Sequence, residues 1–129
     1  MKISSVLVVE DELFILDLYQ EILTDEGLKV FTAKDGEEAL EFFKAGKKVD
    51  VVLLDIMMPR LSGLNLLRAI AGDKKIRKPP IILLTNLPDK DVINHCYKLG
   101  ACGIIMKSDI TPDQLLPQIK TILETKKKQ

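Results

Sequence analysis

Five short apolar runs punctuate the chain: Val6–Val9, Lys29–Ala33, Val51–Leu54, Ile81–Leu84 and Gly103–Met106. Most are apolar at consecutive rather than alternating positions. A strand with one wet face alternates, whereas a strand covered on both faces does not, so these runs predict a parallel sheet between two layers. The intervening segments carry apolar residues at helical spacing. Glu12–Glu26 sets Ile15, Leu18, Tyr19 and Ile22 on one face and stops at Gly27. Gly36–Ala45 carries Ala39, Leu40 and Phe43, and Gly63–Ala71 carries Leu64, Leu67 and Ile70. Pro88–Leu99 opens with a first-turn proline and ends at Gly100. In "TPDQ" Thr111 reads as a helix cap, Pro112 as a first-turn residue and Gln114 as the capping-box partner. Pro117, placed inside that last helix, predicts a bent axis.

Strand and helix thus alternate five times, the pattern of an α/β protein with a doubly wound parallel sheet and helices on both faces. The length of 129 residues suits one domain, 1–129, with no output domain in the chain. In such sheets ligands bind beyond the carboxyl ends of the strands, so function is expected where strands become loops.

Composition narrows the classes. Lysine plus arginine equals aspartate plus glutamate at 19 each, so no bulk field points to nucleic acid or to a membrane surface. The lysines at 126–128 read as a solvated helix end. Two cysteines, Cys96 and Cys102, lack metal-site spacing and suit a reducing compartment. The start holds no signal peptide and no stretch reaches the length of a membrane span, so a cytoplasmic location is expected.

The strand ends hold the chemistry. Glu10 and Asp11 follow the first strand, Asp55 the third, Thr85 the fourth and Lys107 the fifth. Three converging carboxylates repel and raise one another's pKa unless a cation sits among them. Hard oxygen ligands with room for water favour Mg²⁺. A lysine and a hydroxyl opposite could hold phosphoryl oxygens, which makes Asp55 the candidate nucleophile for an aspartyl phosphate.

Four stretches then carry a resemblance: "VLVVEDE" at 6–12, "LLDIMMPRLSG" at 53–63, "IILLTN" at 81–86 and "GACGIIMKS" at 100–108, with "AKDGEEAL" at 33–40 in support. In order and spacing the chain resembles a receiver domain of the two-component response-regulator family over essentially its whole length. The resemblance implies a flavodoxin-like (βα)₅ fold with strand order 2-1-3-4-5. It implies that Asp11, Asp55 and the backbone carbonyl of Met57 ligate Mg²⁺, with Glu10 acting through water. Asp55 would accept a phosphoryl group from a histidine kinase or histidine phosphotransfer protein, and Thr85 and Lys107 would bind the phosphorylated state. The fourth helix, fifth strand and fifth helix would face a downstream protein target or a fused output domain, or a second copy in a homodimer. Direct contact with nucleic acid or membrane is not implied.

Two positions depart from the pattern. Ile104 stands where many receivers have a tyrosine or phenylalanine that rotates inward, and a β-branched residue is stiff at its first torsion. Packing is the plainer role for it, and a modest conformational change on phosphorylation is expected. Ser108 follows Lys107 where the family usually has proline after a cis bond. In the first helix Leu13 and Phe14 fall off the apolar stripe; marginal burial is the plainer reading and a docking face the other. His95, the lone histidine, is expected to be structural. Two other readings compete: a phosphorylation-independent adaptor on the same fold, and an aspartate-nucleophile phosphohydrolase. The second needs a general acid two residues past the nucleophile, and Met57 cannot move a proton.

Overall fold

A computed structural model describes residues 2–58, 61–86 and 89–128 of the chain. A turn fixed by Pro59 after the third strand, the helix opening expected at Pro88 and the side chains at 127 and 128 fall outside these residues. The elements follow the alternation in order: β1 (Ser5–Val9), α1 (Leu13–Asp25), β2 (Lys29–Ala33), α2 (Gly36–Lys44), β3 (Val51–Asp55), α3 (Gly63–Ala71), β4 (Ile81–Thr85), α4 (Lys90–Lys98), β5 (Ala101–Met106) and α5 (Leu115–Lys128). All paired strands are parallel, in the order β2-β1-β3-β4-β5. The doubly wound fold expected from the pattern is the fold found.

Consecutive apolar residues are explained by the two cores they serve. Leu7, Val9, Val52, Leu54 and Leu83 point to the layer of α2, α3 and α4, where Phe43, Leu67, Ile70 and Cys96 meet them. Their strand neighbours Val6, Val8, Leu53, Ile82 and Leu84 point to α1 and α5, against Leu16, Leu23, Ile119 and Leu123. Side chains of a strand alternate between faces, so a sheet buried on both sides needs apolar residues at every position.

Two helices differ from expectation. In α1 the buried residues are Leu16, Tyr19 and Leu23, with Ile15, Leu18 and Ile22 half-buried beside them. The apolar stripe is broad, and its centre lies one residue further along the chain than the spacing alone suggested. In the last helix, residues Pro112–Gln114 form a separate 3₁₀ turn and the α-helix starts at Leu115. Pro117 is therefore in the first turn, where its missing N–H has no intrahelical partner to lose. It does not interrupt a helix. The capping contact at this turn is present, with the Gln114 side chain accepting from the Thr111 N–H at 2.9 Å.

Candidate functional site at the carboxyl edge of the sheet

The register of the strands decides which side chains meet. β1 lies beside β3, with Val9 paired to Leu54, so Glu10 and Asp55 each stand one residue beyond that pair. β3 lies beside β4, with Asp55 paired to Leu84, so Thr85 stands one step further along the edge. Lys107 follows the last residue of β5, at the start of a 3₁₀ turn over Lys107–Asp109.

Ligand oxygens of Glu10, Asp11 and Asp55 lie within 4.8 Å of one another. Glu10 is fully buried and Asp55 is 4% exposed, while Asp11 is half-exposed. Burial of unpaired carboxylates is costly, and the chain meets that cost with specific partners. One Glu10 oxygen accepts from the Glu12 N–H at 3.2 Å, and the other is ion-paired with the Lys107 ammonium. The same ammonium lies 3.5 Å from Asp55 Oδ2, and Asp55 Oδ1 accepts from the Met57 N–H at 3.1 Å. Thr85 is buried at the end of β4.

Three carboxylates against one ammonium leave a formal charge of −2 on this edge. Burial, followed by the hydrogen bond and charge of Glu10, pushes the Asp55 carboxyl up to about 8, against the opposing pull of Lys107 and the Met57 N–H. Burial works to lower the Lys107 pKa, but Glu10 and Asp55 outweigh it and hold the ammonium above its ordinary value. A divalent cation on hard oxygen ligands would neutralise the excess, so the donor set fits Mg²⁺.

Sequence reasoning brought together Glu10, Asp11, Asp55 and Lys107, and the structure does the same. It differs in pairing Lys107 first with Glu10, a contact invisible until β1 and β5 have a common edge. Two contributors went unread. Tyr19 is buried on α1, where burial raises its hydroxyl and the charges of Lys107, Glu10 and Asp55 reach it. Gly63 opens α3, and a Cβ there would sit 2.6 Å from the Asp55 carbonyl oxygen. The missing side chain lets the helix press on the tip of β3. Gly36 is bare for the same reason against Leu61, while the buried Asp35 before it caps α2 by accepting from the Glu38 N–H at 2.8 Å. The "KDG" and "LSG" signals in the sequence are these two contacts.

Ile104 is half-buried and packs against the same core as Val92, Ile93 and Leu99, the core that includes Leu83 and Cys96, which is the plainer of the two roles considered for it. The described residues contain no cis peptide, so Lys107–Ser108 is trans. His95 lies exposed on α4. Leu13 and Phe14 are exposed at 59% and 82%, and Met57 at 59% adds a third apolar side chain beside the acidic edge. No described helix is long and apolar enough to cross a membrane.

A parallel sheet in this order, with acids and a lysine collected on its carboxyl edge, is the flavodoxin-like, CheY-like fold. Residues 6–120 match the response regulator receiver domain family, and the chain belongs to it. Among curated relatives, a probable transcriptional regulator ycf27 of Guillardia theta is 38% identical over 93% of this chain and 45% of its own length. The chemotaxis protein CheY of Treponema pallidum is 33% identical over 92% of this chain and 82% of its own. The chain spans about half the length of most of the curated relatives it matches, DltR of Streptococcus agalactiae included. Among solved structures, Vibrio cholerae CheY4 superposes with a TM-score of 0.82 at 28% identity, covering 94% of this chain and 99% of that one. A CheY-like receiver domain from Methanospirillum hungatei gives 0.82 at 27% identity, covering 99% and 100%. The chain is a receiver domain of two-component signalling.

Proposed function

We propose that Asp55 is the phosphoacceptor of this receiver and that residues 1–129 act as one switch. The observation that carries the reading is the setting of Asp55: a buried carboxylate fixed by the Met57 N–H, with two further carboxylates and Lys107 within reach. Glu10, Asp11, Asp55 and the Met57 carbonyl are the groups proposed to hold Mg²⁺, which when bound would neutralise charge on the acids and on the incoming phosphoryl oxygens. The donor is a phosphohistidine of a kinase or phosphotransfer protein. An Asp55 carboxylate oxygen forms the new bond to phosphorus as the phosphorus–nitrogen bond breaks, and the electron pair leaves with the imidazole. The Met57 N–H orients Asp55 for this attack. Lys107, already held between Glu10 and Asp55, turns its ammonium to a phosphoryl oxygen, and Thr85 donates its hydroxyl to another.

The adduct adds negative charge and acceptor oxygens at one point of the sheet, and the loops after β4 and β5 respond to it. With Ile104 packed against the core rather than free to rotate the response is small, and the output face is α4, β5 and α5, open to a protein target, a fused domain or a second copy. Leu13, Phe14 and Met57 form the apolar landing for the phosphodonor protein. The test is intact mass after incubation with Mg²⁺ and a small acyl phosphate. One phosphoryl group is expected on the wild type and none on Asp55→Asn. A wild type that binds Mg²⁺ yet gains no mass would overturn the reading in favour of an adaptor.

A further inference from the structure

The opposite, amino-terminal edge of the sheet carries a groove of about 540 Å³, well within the size of small-ligand sites. Four cations line it: Lys47 and Lys48 from the segment between α2 and β3, and Arg77 and Lys78 from the segment between α3 and β4. All four are exposed, and none forms an ion pair among the described residues. Lys47 Nζ lies over the Phe42 ring at 5.7 Å and Lys78 Nζ donates to the Ala71 carbonyl at 3.5 Å, exposed contacts that a phosphate can replace, while Lys48 and Arg77 make no such contact among the described residues. The single acid in the lining is Asp50, and its Oδ2 accepts from the Ser4 and Ser5 N–H groups at 2.7 and 3.0 Å, so it is turned into the backbone. The floor is fixed by the sheet, because the Asp50 N–H donates to the Ser5 carbonyl and hydroxyl, and the Val52 N–H donates to the Pro80 carbonyl at 2.9 Å. Val49, Pro79 and Pro80 supply a half-buried apolar wall.

We propose that this groove binds a nucleoside polyphosphate, with the phosphates among Lys47, Lys48, Arg77 and Lys78 and the base against Val49, Pro79 and Pro80. Arginine and lysine together offer a fork and point charges to phosphate oxygens. The volume and the apolar wall exceed what a lone phosphate uses. A polynucleotide is disfavoured by the concave, local form of the patch on a chain of zero net charge. The site shares no residue with the acidic edge, so it stands or falls independently of phosphorylation at Asp55.

The test is an amide NMR titration of the full chain with ATP, ADP, inorganic phosphate and duplex DNA, in EDTA so that no metal bridges nucleotide to the acids, at about 0.1 M ionic strength. Saturable shifts confined to residues 4–5, 47–50 and 76–80 are expected, tightest for ATP and weakest for phosphate. The double variant Lys48→Glu/Arg77→Glu should bind ATP at least about tenfold more weakly, while Lys120→Glu on α5 binds as wild type does. Amide chemical-shift dispersion and an unfolding midpoint like those of wild type show that both variants are folded. No saturation at millimolar ATP, equal binding by the double variant, or tighter binding of DNA than of ATP would overturn the proposal.

Discussion

The two edges of one sheet treat charge in opposite ways. At the carboxyl edge Glu10 and Asp55 are buried and share Lys107, so each charge depends on the others. At the amino edge Lys47, Lys48, Arg77 and Lys78 are exposed, and none is ion-paired among the described residues. Buried charges are stabilised only by well-placed partners, whereas solvated ones cost little and contribute little to the fold. Substitutions at the first edge should therefore act on stability as strongly as on function. Those at the second should act on binding alone.

The largest difference should appear with pH. The folded-state pKa of Asp55, about 8, lies above the ordinary carboxylate value of about 4, so the folded protein keeps this proton after the unfolded chain has lost it. Stability from this group is complete below pH 4 and is lost as pH rises toward 8. Asp55→Asn lacks that loss, and in EDTA at pH 8 it should be more stable than wild type by roughly 5 kcal/mol. Urea unfolding at pH 4 and pH 8 measures the gap, and Mg²⁺ should narrow it by stabilising the wild type. A gap independent of pH would show that the acids do not strain one another.

Lys107→Ala breaks the comparison from the other side, leaving Glu10 buried without its cation. A loss of about 3 kcal/mol is expected in metal-free unfolding at neutral pH; a change within noise would mean that the ammonium is decoration. Gly63→Ala forces a methyl against the Asp55 carbonyl and the Ile56 Cα, with an expected loss of about 2 kcal/mol and a shifted Asp55 amide resonance. The smallest effect belongs to the amino edge. Lys48→Ser should change stability by less than about 0.5 kcal/mol, and a larger change would show that the basic loops hold the fold.

Much of this was legible in the chain. The five unbroken apolar runs reported a sheet covered on both faces, because Val6 and Leu7, or Leu53 and Leu54, serve different cores. Residues at strand ends could be read as neighbours because parallel strands share a carboxyl edge. Interactions across that edge were harder. The Lys107 partnership with Glu10 and the reach of Tyr19 toward the site depend on side-chain directions that no periodicity encodes. Pro117 was misjudged for a similar reason: the Thr111–Gln114 contact closes a separate turn, so the α-helix begins later than the capping signal suggests. The α1 stripe shifted because six apolar residues on a broad face do not mark its centre.

The contact between Lys107 and Glu10 joins residues 97 positions apart. Bringing them together closes about three quarters of the polypeptide into a loop, and the contacts that offset its entropy cost form only once the last strand has docked. During synthesis the acids therefore emerge long before their counter-ion. A nascent or partly unfolded chain with β5 detached holds its carboxylates free to take up protons or metal ions on their own. Completion of the fold and completion of the acidic edge are then one event.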